Sequence, residues 1–74
     1  MNRPEEAVLL LERAARYDWD QPATYALLVR AYATLGAWGR VRSRLALLRR
    51  MDDEAHGNAR SALKKGFGKE AIID

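Results

Sequence analysis

The 74 residues contain no cysteine, so the chain has no disulfide framework, no thiolate metal site and no cysteine nucleophile. Histidine is nearly as scarce, with His56 alone, and this rules out the paired imidazoles on which most zinc sites and proton relays depend. No apolar run approaches the ~20 residues needed to span a bilayer, because charged residues interrupt each one. The N-terminal Met1-Asn2-Arg3-Pro4-Glu5-Glu6 also lacks the basic-then-apolar pattern of a secretory leader. These absences point to the cytoplasm and to a single small domain with a thin margin of stability.

Charge of one sign is missing from the middle of the chain. Between Gln21 and Met51 there are six arginines, Arg30, Arg40, Arg42, Arg44, Arg49 and Arg50, and no acid. The first twenty residues carry two more acids than bases, and the residues after Met51 one more. The net charge of +3 is therefore a basic centre between mildly acidic ends. Arg40, Arg42, Arg44, Arg49 and Arg50 spread over the non-core surface of one helix, which makes either a solvated exterior with long apolar stems or an anion-facing surface.

The apolar residues recur at helical spacing. A first helix starts near Pro4, with Glu5 and Glu6 set against the positive end of its dipole, and ends near Tyr17. Its inward stripe is Ala7, Leu10, Leu11 and Ala14. Asp20 is placed to cap a second helix that runs from Pro22 to Leu35. Gly36 stands where a left-handed residue ends a helix, and Ala37-Trp38-Gly39 leads directly into a third helix reaching Met51. Tyr25, Leu28, Tyr32 and Leu35 on the second helix are expected to face Trp38, Val41, Leu45, Leu48 and Met51 on the third. Asp52 or Asp53 caps a weaker fourth helix through Ala55, Ala59, Ala62 and Leu63, ended by Gly66. The expected organisation is all-α, a helical domain over 4–65 and a flexible tail over 66–74.

No arrangement of residues points to catalysis. His56 is the only histidine and sits in a glycine-flanked loop or weak helix, which reads as surface decoration, and Gly66-Phe67-Gly68-Lys69 lacks the preceding strand and the Gly-Lys-Ser/Thr ending of a phosphate loop. Asp52-Asp53-Glu54 reads as a helix cap and a solvated turn. The expectation is a protein that is not an enzyme and takes no cofactor, metal or small-molecule substrate. Tyr25, Tyr32 and Trp38 fit core positions better than base-stacking platforms, while Trp19 sits in a turn.

A shift of 34 residues places Ala7 on Val41, Leu11 on Leu45, Ala14 on Leu48, Tyr17 on Met51 and Asp18 on Asp52. With Tyr25, Leu28, Tyr32, Gly36, Trp38, Val41, Leu45 and Leu48, the segment 22–53 resembles one complete repeat of the tetratricopeptide family, and 5–19 resembles the second helix of a preceding repeat. Val29, Val41, Leu48 and Asp53 depart from the family pattern, being larger than usual at contact positions or standing where proline often closes the repeat. The resemblance implies an antiparallel helical hairpin with flanking helices, three to four in all. It also implies a protein-interaction role, as a small adaptor or a chaperone, with Ala23, Ala26, Arg30, Ala33 and Thr34 facing a partner helix or peptide. Three short helices cover each other only in part, so a second copy of the chain or another protein is expected to complete the surface. The same residues are also similar to the pentatricopeptide family of RNA-binding repeats, although Ala26 stands where a polar base-reading residue is common. An RNA-associated fragment using the arginine face is thus the alternative.

Overall fold

The computed structural model describes residues 3–17 and 21–68. These residues form an all-α fold of four helices, α1 (Pro4–Tyr17), α2 (Pro22–Thr34), α3 (Trp38–Met51) and α4 (Asp53–Phe67), and no strand is present among them. Trp19, the cap expected of Asp20 and the tail beyond Gly68 lie outside the described residues.

The helix ends follow from local chemistry. Pro22 opens α2 at a position that needs no backbone donor, after Gln21 in an extended conformation. At the other end Gly36 adopts φ +74°, and the N–H groups of Gly36 and Ala37 donate to the carbonyls of Ala33 and Tyr32 at 3.0 and 2.9 Å. This is the Schellman arrangement, in which a left-handed residue turns the chain back over its own last carbonyls. The connection to α3 is consequently only three residues long. Asp52 serves two helices at once. Its N–H donates to the Leu48 carbonyl at 2.8 Å, ending α3, while its carboxylate accepts from the Ala55 N–H at 3.1 Å, opening α4. Asp53 and Glu54 in the first turn, and Lys64 and Lys65 in the last, complement the α4 dipole.

Helix α2 is the centre of the molecule and packs against α1, α3 and α4. Leu28, Val29, Val41 and Leu48 are fully buried, and Ala15, Tyr25, Tyr32, Ala33, Leu45 and Leu63 complete the core around them. Each fully buried leucine contributes about 2 kcal/mol from removal of apolar surface, so these few side chains carry much of the stability of so small a domain.

Three expectations need correction. Leu10 is 64% exposed, and α1 turns Val8, Leu11 and Ala15 toward the core. The Ala7, Leu10, Leu11, Ala14 stripe was thus phased wrongly, because the helix is oriented by Glu12, which lies on its inner side. Leu35 is exposed, having left α2 for the turn. Finally, α4 continues through Gly66 and Phe67 and is capped by Gly68, at φ +62°, whose N–H reaches the Lys64 carbonyl at 3.0 Å. The Phe67 ring meets Trp38 edge-on at 5.7 Å, a contact that holds this last turn and extends the helical part beyond residue 65.

Candidate functional site

Two open grooves flank α2, and they share a ridge made of Leu27, Arg30 and Thr34. The first, of ≈ 790 Å³, lies between α2 and α4. Its floor is small and apolar, with Ala26 and Val29 on one side and Ala55, Ala59 and Ala62 on the other, and Phe67 closes one edge. The second, of ≈ 780 Å³, lies between α2 and α1 and is lined by Pro4, Ala7, Leu10 and Leu11 opposite the ridge. Leu27 is 53% exposed at the crest.

Among the described residues, neither groove is lined by an acid. Arg30 is the single charged residue lining the first, and Arg3 joins it in the second. Arg3 is held by Glu6 in an exposed pair at 2.9 Å, whereas Arg30 makes no ion pair among the described residues. Thr34 is turned back on its own helix, its hydroxyl donating to the Arg30 carbonyl at 3.0 Å.

Of the residues expected to face a partner, the structure thus brings Ala26, Arg30 and Thr34 together on open surface. Ala33 belongs to the core, at 3% exposure, because it lies about 120° round α2 from Leu27 and faces inward. Ala23 is exposed but lines neither groove. Sequence reasoning missed Leu27 as the crest and Ala62 as an open groove residue. The signal for Leu27 was an apolar residue outside the stripe of Tyr25, Leu28 and Tyr32.

The arginine surface is divided by one internal cluster. Glu12 on α1 accepts hydrogen bonds from the Tyr32 hydroxyl on α2 and from Arg44 Nη2 on α3, the latter at 2.7 Å. The guanidinium groups of Arg40 and Arg44 lie over the Tyr32 ring, 5.8 and 5.7 Å from its centroid. Burial pushes the Glu12 carboxyl upward, but the Tyr32 and Arg44 hydrogen bonds and the nearby arginine charges outweigh it and hold the group below its ordinary value. Burial and the same carboxylate push the Tyr32 phenol up. Arg44 is therefore a structural residue and not part of an open basic face. Arg40, Arg42, Arg49 and Arg50 are exposed, with Arg49 at 4.0 Å from Asp53.

His56 is half-buried near Arg60 and Arg49, and desolvation followed by these two charges lowers its pKa. No group of three His, Cys, Asp or Glu residues is placed to hold a metal among the described residues, and no described helix is long and apolar enough to cross a membrane. A scan against protein-family models found no match to this chain, and searches of the curated proteins and of the solved structures found none either.

Proposed function

We propose that this chain is a protein–protein interaction module of tetratricopeptide-like build, an adaptor or chaperone that holds a helix or extended segment of a partner in the groove between α2 and α4. The observation that carries the reading is the chemistry of that groove. It is apolar, open and lined by a single charge, Arg30, which has no ion pair within the described chain. Small residues at Ala55, Ala59 and Ala62 leave room for the side chains of an apolar stripe, as in helix-in-groove recognition. A carboxylate on the partner satisfies Arg30 and fixes its register. The reading assigns the protein no catalytic step, and its natural setting is the cytoplasm.

The exposed arginines of α3 support the second reading, association with single-stranded RNA. One titration separates the two. Three synthetic amphipathic peptides with the same apolar stripe, one bearing glutamates, one serines and one lysines on the polar face, are compared with a single-stranded RNA by fluorescence anisotropy. The module reading expects the acidic peptide to bind about tenfold tighter than the basic one, and Arg30→Glu to reverse that order. Equal affinity for the three peptides overturns it. Salt-sensitive RNA binding that Arg30→Glu leaves intact favours the second reading.

A further inference from the structure

Helix α2 packs against both α1 and α4, whose backbones lie apart from each other. The three helices therefore form a row with α2 in the middle. The grooves on its two sides run next to one another along the ridge of Leu27, Arg30 and Thr34. That ridge is open, with Leu27 exposed by 53%, and Leu10 on the far wall of the α1–α2 groove is exposed by 64%. Neighbouring helix axes stand about 8–10 Å apart, so the midlines of the two grooves are separated by about the same distance. Two helices seated in them are then spaced as a packed pair is, and together they form a second layer over the row.

We infer that the two grooves act as one docking surface for an antiparallel helical hairpin of a partner protein, one helix in each groove, with Leu27 enclosed in the seam between them. A single helix fills one groove and leaves Leu27 and Leu10 partly in water, whereas a hairpin covers both. The charge of the surface selects an acidic partner. Neither groove is lined by an acid among the described residues, Arg3 stands in the second, and Arg30 on the ridge makes no ion pair among them. A carboxylate at the seam of the hairpin pairs with Arg30 from above. A second copy of the chain, with its net charge of +3, is a poorer complement to this surface. The inference rests on the peptide-binding reading of the α2–α4 groove and extends it to the groove beside it.

The test is fluorescence anisotropy with two probes. One is the single glutamate-bearing amphipathic helix, and the other is a synthetic hairpin of two copies of it, closed by a disulfide that the cysteine-free chain cannot exchange. Circular dichroism confirms that each variant is folded. Wild type is expected to bind the hairpin about hundredfold tighter than the single helix. Ala7→Trp, which fills the α1–α2 groove, should bring the hairpin to single-helix affinity and leave the single helix unchanged. Leu10→Gln, at an exposed position of the same groove, should weaken the hairpin about tenfold. A hairpin that binds wild type no tighter than the single helix overturns the inference, as does a gain that survives both variants. If the single helix binds and the gain is absent, this inference alone falls; if neither probe binds, the peptide-binding reading falls with it. Sedimentation velocity of the chain alone gives the remaining outcome, since a wild-type dimer that Ala7→Trp dissociates assigns the α1–α2 groove to a second copy and overturns the hairpin.

Discussion

Glu12 and Arg44 meet at 2.7 Å across helix α2, joining α1 to α3, two helices whose backbones lie apart. The Tyr32 hydroxyl donates to the same carboxylate oxygen from the helix between them. The cluster is half-buried and not sealed, with side-chain exposures of 20% for Arg44 and 30% for Glu12, and the buried Arg44 Nε has no hydrogen-bond partner among the described residues. Its net contribution is correspondingly moderate. A double-mutant cycle of Glu12→Ala and Arg44→Ala, read by urea unfolding, is expected to give a coupling of about 0.5–1.5 kcal/mol. Tyr32→Phe alone costs about 1 kcal/mol through loss of the charged hydrogen bond. A coupling near zero would show that the core alone fixes α1 on the bundle.

The same cluster makes stability depend on pH at both its acid and its alkaline end. A carboxylate whose pKa is depressed in the folded state contributes stability above its unfolded value, and that contribution is lost as pH falls through the folded value. Burial opposes the depression of Glu12, but the Tyr32 and Arg44 interactions prevail, so stability should decline as pH falls below the ordinary carboxyl value of 4.5. At the alkaline end the phenol of Tyr32 is raised above 10.0, and its contribution, fully present below that value, is lost as pH rises through the folded one. Thermal unfolding followed against pH should therefore flatten on the acid side in Glu12→Gln, and on the alkaline side in Tyr32→Phe.

Leucines at similar sequence positions should respond in opposite ways to truncation. Leu28→Ala removes a side chain with no exposure, and the expected loss is about 2–4 kcal/mol, a large part of the stability of a domain this small. Leu10→Ala removes a mostly exposed one, and in dilute solution it should alter stability by less than about 0.5 kcal/mol. Equal losses at the two sites would mean that α1 is rotated from the position described here.

That rotation is where the sequence was least informative. The stripes of α2 and α3 were legible because Tyr25, Leu28 and Tyr32, and Val41, Leu45 and Leu48, recur every three or four residues, marked by aromatics in α2 and by intervening arginines in α3, and all six are buried. In α1 the run from Ala7 to Leu11 is apolar without interruption, so periodicity gives no phase. The phase comes from Glu12, a charged residue turned inward because Tyr32 and Arg44 receive it there. Those partners are 20 and 32 residues away and leave no local trace. The end of α4 was misplaced for a related reason. Gly66 and Gly68 are equivalent as local stop signals, and the contact of Phe67 with the distant Trp38 selects the second. Arg30 and Thr34 were expected on an open face from the resemblance to the repeat family, whereas the grooves beside them arise from the docking of α1 and α4 on α2.

Glycine substitutions should separate backbone strain from packing. Apart from the adjoining backbone, no described atom lies within 4 Å of the position a Cβ would take at Gly36 or Gly57, so no steric clash distinguishes them. Gly36 holds φ +74°, where an L-residue is strained by about 1–2 kcal/mol, and Gly36→Ala should lower the melting temperature by several degrees. Gly57 is inside α4 with an ordinary helical backbone, and Gly57→Ala should raise stability by about 0.8–1.0 kcal/mol, or ~4–8 °C for a domain of this size. A rise in both variants would place Gly36 outside the left-handed region.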